Sequence, residues 1–146
     1  MKIKFKKIAL AYDFKNKKAS EIAHQCEEIL SNFDSILSTI DYRELRSTRS
    51  EQIASIDNKV NSISLIIAIG GDGTILGCSR YFGYKGIPIL GINLGNLGFL
   101  TDISPVELAT SLLEVLKGKF IEDTRSFLEC KLDSDESKEK NIALNE

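Results

Sequence analysis

Ser64-Leu65-Ile66-Ile67-Ala68-Ile69-Gly70-Gly71-Asp72-Gly73-Thr74 is an apolar run that ends abruptly in glycines and an acid. A continuously apolar, β-branched segment of this length is the pattern of a strand buried on both faces, as in a parallel sheet. Thr74 opens an apolar segment at helical spacing that continues through Tyr81 and ends near Gly83. Downstream, Ile87–Ile92 (IPILGI) reads as a second buried strand, followed by a glycine-rich loop, Asn93–Gly98. Ser104-Pro105-Val106-Glu107 then predicts an N-cap, a proline at the first helical position and an acid in the first turn. That helix runs through Leu116 and stops at Lys117-Gly118.

Upstream, Lys2, Lys4 and Lys6 alternate with Ile3 and Phe5, and the chain turns continuously apolar from Ile8 to Tyr12, which predicts another strand. After a polar turn at Asn16–Lys18, an amphipathic helix begins at Ala19, with Ile22, Cys26, Ile29, Leu30 and Phe33 on one face. Ser35–Ile40 reads as a strand; Asp41–Asn61 is polar, with Ile53, Ile56 and Val60 permitting a short helix. Strands alternating with helices predict an α/β unit, a parallel sheet with flanking helices, over residues 1–118. From 119 to 146 the pattern changes: Phe120–Leu132 as strand, Asp133–Lys140 as a charged turn, and Asn141–Asn145 as the start of another strand. A hairpin after βα units predicts the beginning of an antiparallel β module.

The 146 residues carry 19 Lys+Arg against 21 Asp+Glu, a net charge of −2, with 42% hydrophobic and 27% charged residues. This is the balance of a globular domain, and it argues against nucleic-acid or membrane-surface binding through bulk charge. No apolar run approaches the roughly 20 residues of a spanning helix. MKIKFKK leads into a β-branched segment without a small-residue cleavage site, so it is not read as a secretory signal. Cys26, Cys78 and Cys130 lie far apart with no CxxC, which fits a reduced, cytoplasmic protein. Cys78 is read as packing, the N-terminal lysines as a solvated strand face, and His24, the single histidine, as structural or exposed.

In a parallel sheet, ligands bind beyond the carboxyl ends of the strands, where both glycine loops fall. Gly70–Thr74 is too short for a P-loop and lacks its GK[ST] ending, and it does not match GxGxxG. Its glycines still allow backbone N–H groups to approach phosphate oxygens beside a helix N-terminus. A carboxylate there would repel phosphate. Asp72 therefore needs another job, as proton acceptor or magnesium ligand, or else it simply caps the helix in a tight turn. In the second loop, Gly91–Leu100, asparagines can hydrogen-bond a ribose or amide and Phe99 can stack on a base; the alternative is a plain connection with Phe99 in the core.

GGDGT, then GINLGNLGFLTD, and finally Asn145-Glu146 together resemble the NAD kinase family, from about Ser64 to the end of the chain. GGDGT alone is shared with diacylglycerol and sphingosine kinases, and a GGDG turn with phosphofructokinases; LGNLGFLTD is the discriminating stretch. The resemblance implies a Rossmann-like α/β domain followed by the first strands of an incomplete β-sandwich. It implies phosphorylation of the adenosine ribose 2′-hydroxyl of NAD to give NADP, with Asp72 as proton acceptor and ATP with Mg2+ as donor. Gly70, Gly71, Gly73 and Thr74 would shape the phosphate and nucleotide turn, with Asn93 on the second loop and Phe99 near the adenine. Asn145 and Glu146 would hydrogen-bond NAD, and no protein metal ligand is assigned. Many members carry a basic residue shortly after GGDGT where this chain has Gly77, and Arg80 is the nearest cation; Arg125 resembles an arginine of structural role. The resemblance covers the family's N-terminal half. It implies a homo-oligomer for the complete fold, with a separately encoded C-terminal half or a non-catalytic nucleotide-binding fragment as the alternatives.

Overall fold

The computed structural model describes residues 3–46, 62–95, 98–134 and 137–144. Its centre is a sheet of four parallel strands: β1 (Lys7–Tyr12), β2 (Ile36–Asp41), β3 (Leu65–Gly70) and β4 (Ile89–Asn93), in the order β2-β1-β3-β4. Register runs Ile8↔Leu65 to Tyr12↔Ile69 between the two central strands, and Ile66↔Ile89 to Gly70↔Asn93 at the outer pair. The stretch that opened the sequence reading is thus a central strand, and every residue of β3 is buried.

Among the described residues, three helices cover this sheet: α1 (Lys17–Ser31), α2 (Asp72–Phe82) and α3 (Leu108–Leu116). The β1-to-β2 and β3-to-β4 connections lead in opposite directions from the sheet centre. Right-handed crossovers therefore put their helices on opposite faces. Ile8, Leu10, Leu65, Ile67 and Ile69 pack with Ile22, Cys26 and Leu30 of α1 and with Leu108, Leu112 and Leu116 of α3. Ala9, Ala11, Ile66 and Ala68 face Ile75, Cys78 and Phe82 of α2. The small alanines of β1 on this side leave room for the bulkier helix residues.

Several boundaries differ from expectation. The first strand begins at Lys7, not at the N-terminal lysines; Ile3 and Phe5 are buried, but Lys4 N–H bonds the Leu116 carbonyl (2.9 Å) and no sheet partner. Helix α1 starts at Lys17, because Asn16 is its N-cap and accepts the Ala19 N–H at 3.1 Å. Helix α2 starts at Asp72, which brings the acid into the first turn. Helix α3 starts at Leu108 instead of Pro105. Ser104 does not cap it: its hydroxyl donates to Glu107 Oε2 (3.0 Å), and residues 104–107 close a separate turn through Glu107 N–H to the Ser104 carbonyl (3.1 Å).

The C-terminal part forms an antiparallel hairpin, β5 (Phe127–Ser134) and β6 (Ser137–Leu144). The expected strand over 120–126 is absent, because Phe120 is held on Phe5 (5.7 Å between ring centroids) under Lys4 Nζ and the chain there has no pairing partner. The expected charged turn over 133–140 is also corrected: it is mostly ladder, with Asp133 in register with Lys138. Expected features at residues 47–61, including the possible helix at Ile53, Ile56 and Val60, lie outside the described residues, as do Asn96, Asn145 and Glu146.

Candidate functional site

Strand order reverses between β1 and β3, so the crevice at their carboxyl ends is where an open α/β sheet offers a ligand site. Asp72 lies there, one residue beyond Gly71, the N-cap of α2. The N-cap position belongs to Gly71, so Asp72 is not the capping residue. The Asp72 carboxylate reaches instead to the second glycine loop: Oδ2 accepts the Phe99 N–H at 2.9 Å and Oδ1 the Leu100 N–H at 3.0 Å. The two loops that the sequence placed after separate strands are therefore joined through the acid.

Gly98 makes this approach possible. A Cβ at that position would lie 2.7 Å from Asp72 Cγ, well inside contact distance. Gly91 serves similarly beneath the loop, where a Cβ would come within 3.2 Å of the Leu100 carbonyl oxygen and Thr101 Cα. The loop's ends are fixed apart from this clamp. Leu94 N–H bonds the Gly70 carbonyl (3.2 Å), Asn93 N–H the Ile103 carbonyl (2.9 Å), and Ile103 N–H the Gly91 carbonyl (3.2 Å). Thr101, 3% exposed, accepts the Gly98 N–H on Oγ1 at 3.0 Å. Sequence reasoning missed Thr101; its only signal was its place directly after Gly98-Phe99-Leu100.

Gly71 and Gly73 are exposed at the turn, whereas Gly70 and Thr74 are buried beneath it. Phe99 is 89% exposed, so the alternative that made it a core residue does not hold. Asn93 is buried at the end of β4, and its Oδ1 accepts the Gly95 N–H at 3.0 Å, which shapes the loop from within. On the other side of the crevice, Arg43 follows β2 and is held by Asp41 and, at 3.1 Å, by Asp13 after β1. The Arg43 guanidinium holds the Asp41 carboxyl below its ordinary value, against the opposing effect of burial. Gly77 packs against Tyr42, whose ring would lie 3.5 Å from a Cβ there.

His24 is exposed beside Glu27 and Glu28, and Cys78 is buried with its thiol pushed up to about 12 by desolvation, so neither is poised for chemistry. Among the described residues no group of three or more His, Cys, Asp or Glu side chains is arranged to hold a metal, and no helix is long and apolar enough to cross a membrane. A cavity of about 350 Å3 lies along β4 between Ile89, Phe120, Arg125 and Phe127; Asp72 and Phe99 do not line it.

Residues 7–120 match the family model described as the ATP-NAD kinase N-terminal domain. The NAD kinase of Carboxydothermus hydrogenoformans is 46% identical over 81 residues, which span 56% of this chain and 29% of that protein. The NAD kinase of Hahella chejuensis is 49% identical over 65 residues, 44% of this chain and 22% of that one. Among solved structures, yeast NADH kinase complexed with NADH has the same fold, with a TM-score of 0.62 at 21% identity, over 95% of this chain and 46% of that one. The aligned stretch is thus less than a third of these curated relatives and less than half of the yeast chain. By its matched domain, which spans residues 7–120, the chain belongs to the NAD kinase family.

Proposed function

We propose that this chain provides the nucleotide-binding half of an NAD kinase and that Asp72 is its proton acceptor. The observation that carries the reading is the Asp72 carboxylate in the first turn of α2, at the switch point, where it accepts the backbone N–H of Phe99, whose side chain is exposed. A ribose hydroxyl is a weak nucleophile near neutral pH, and a carboxylate within hydrogen-bond reach accelerates its attack by about 10²–10⁴-fold. The adenosine ribose 2′-oxygen of NAD forms the new bond to the γ-phosphorus of ATP. The bond between that phosphorus and the β,γ-bridging oxygen breaks, ADP leaves, and the hydroxyl proton passes to Asp72. Each Asp72 oxygen accepts one backbone N–H and keeps lone-pair capacity for such a proton. The N-terminus of α2, with its backbone N–H groups and the glycines at 71 and 73, supplies positive potential for the phosphates. Phe99 supplies an exposed ring for the adenine.

Mg2+ would accompany ATP and neutralise charge on its phosphates. A magnesium ion in such reactions is held largely by phosphates and water.

The test is NADP formation from NAD, ATP and Mg2+ by this chain alone and mixed with the C-terminal portion of a relative, beside calorimetric titration of NAD. Asp72→Asn is expected to lower turnover by about 10²–10⁴-fold while NAD affinity stays within about threefold. A variant that keeps near-wild-type rate removes Asp72 as the base. If neither preparation forms NADP but NAD binds, the nucleotide-binding fragment is the correct reading, and a lipid or sugar kinase is excluded by that same binding.

A further inference from the structure

We propose that Thr101 is the positioning residue for Asp72: its hydroxyl closes the turn that delivers two backbone N–H groups to the carboxylate, and thereby fixes which lone pairs face the crevice. The inference rests on the reading of Asp72 as proton acceptor.

Three consecutive N–H groups, of Gly98, Phe99 and Leu100, converge on just two side chains. The first goes to Thr101 Oγ1 at 3.0 Å, and the other two to Asp72 at 2.9 and 3.0 Å. Extended chain sends successive N–H groups to opposite sides, so this convergence needs a device that bends the segment. The Thr101 hydroxyl is that device, as in turns closed by serine and threonine side chains. It is buried, and the segment that follows is anchored by the Ile103–Gly91 and Asn93–Ile103 backbone bonds. Leu100 is 8% exposed, with its side chain in the core beneath α2. Removing the hydroxyl therefore leaves the loop's foundations and the Leu100 side chain in place and releases the backbone turn of residues 98–100, the Phe99 and Leu100 N–H groups included.

The consequence falls on Asp72. A carboxylate at the start of a helix rotates over a broad torsional well about χ2. Two donors on two different oxygens fix the plane of the group. The remaining lone pairs then point away from residues 98–100, toward the open crevice. Loss of the Thr101 bond frees the donors and restores the rotation, so a base in place for attack becomes one that visits the right orientation only part of the time.

The experiment uses the 15N-labelled chain with Thr101→Val, which keeps the shape without the acceptor, and Thr101→Ser, which keeps the acceptor. In the wild type the Phe99 and Leu100 amide resonances are expected to shift when Asp72→Asn replaces the carboxylate that accepts from both. Thr101→Val should at least halve that response and speed hydrogen exchange at both amides about tenfold, and Thr101→Ser should restore both. In the NADP assay Thr101→Val should lower kcat about tenfold with KM for NAD changed less than threefold, again restored by serine. Wild-type amide behaviour in the valine variant overturns the proposal, as does unchanged turnover with altered amides, or failure of serine to restore what valine removes. If the valine variant does not fold, wild-type amides that ignore Asp72→Asn overturn it equally. Activity retained by Asp72→Asn would sink the proton-acceptor reading and be recognised as such, because the amide response reports the clamp without any nucleotide.

Discussion

Arg43 grips Asp41 through Nε and Nη2, and the Asp41 side chain is only 10% exposed. The lowered carboxyl pKa has a defined sign in stability: the native state holds the charged form more tightly than the unfolded chain does. The contribution is complete above the ordinary value of 3.8 and is lost as pH falls through the lower folded value. Asp41→Asn is therefore expected to reduce unfolding free energy near neutral pH by about 1–2 kcal/mol and to flatten its fall below pH 4 (urea unfolding at a series of pH values checks both). A variant with the wild-type acid slope would mean that Arg43 and Asp41 separate in solution. Asp72 itself was legible in the sequence, because a carboxylate between glycines after a buried strand calls for a function. Its partners were not. Phe99 and Leu100 lie 27 and 28 positions away, and only a folded chain brings their N–H groups to it.

Helix α1 has no acid in its first turn, where Lys17 and Lys18 oppose the helix dipole. Its start depends correspondingly on the Asn16 cap, whose side chain meets the Ala19 N–H at 3.1 Å. Asn16→Ala should cost about 1 kcal/mol, read as a lowered urea midpoint at unchanged m-value; Asn16→Asp should retain most of it. The strands and helices of the α/β unit were legible from apolar runs and helical periodicity, within a few residues. The ends were less so, because caps are decided by single hydrogen bonds. Ser104 has the chemistry of a cap, but Glu107 takes its hydroxyl, and the helix waits until Leu108. In the hairpin, the charges at Asp133–Lys140 looked like a turn, yet cross-strand register accommodates them in a ladder.

For the molecule as a whole, the α/β unit and the hairpin differ in how much they bury. Strands β1 and β3 are enclosed by helices on both faces. Among the described side chains, the hairpin touches the unit through Phe127, which packs on Gly83, and through Leu144, while Leu128 is 58% exposed. Two strands alone are marginal in water. Amide hydrogen exchange should accordingly find the β5–β6 amides opening at least about tenfold more often than those of β1 and β3. Equal protection across both sheets would mean that the hairpin unfolds only with the core.

Periodicity and loop chemistry were sufficient for the α/β class, for the place of the two glycine loops after buried strands and for the family resemblance. Those features are local, written in windows shorter than a helix. The folded chain alone decided that β1 and β3 are central neighbours, that α1 and α2 lie on opposite faces, and that Thr101 bends one loop onto the acid of the other. These depend on crossover handedness and on contacts between residues distant along the chain, which no short window of sequence contains.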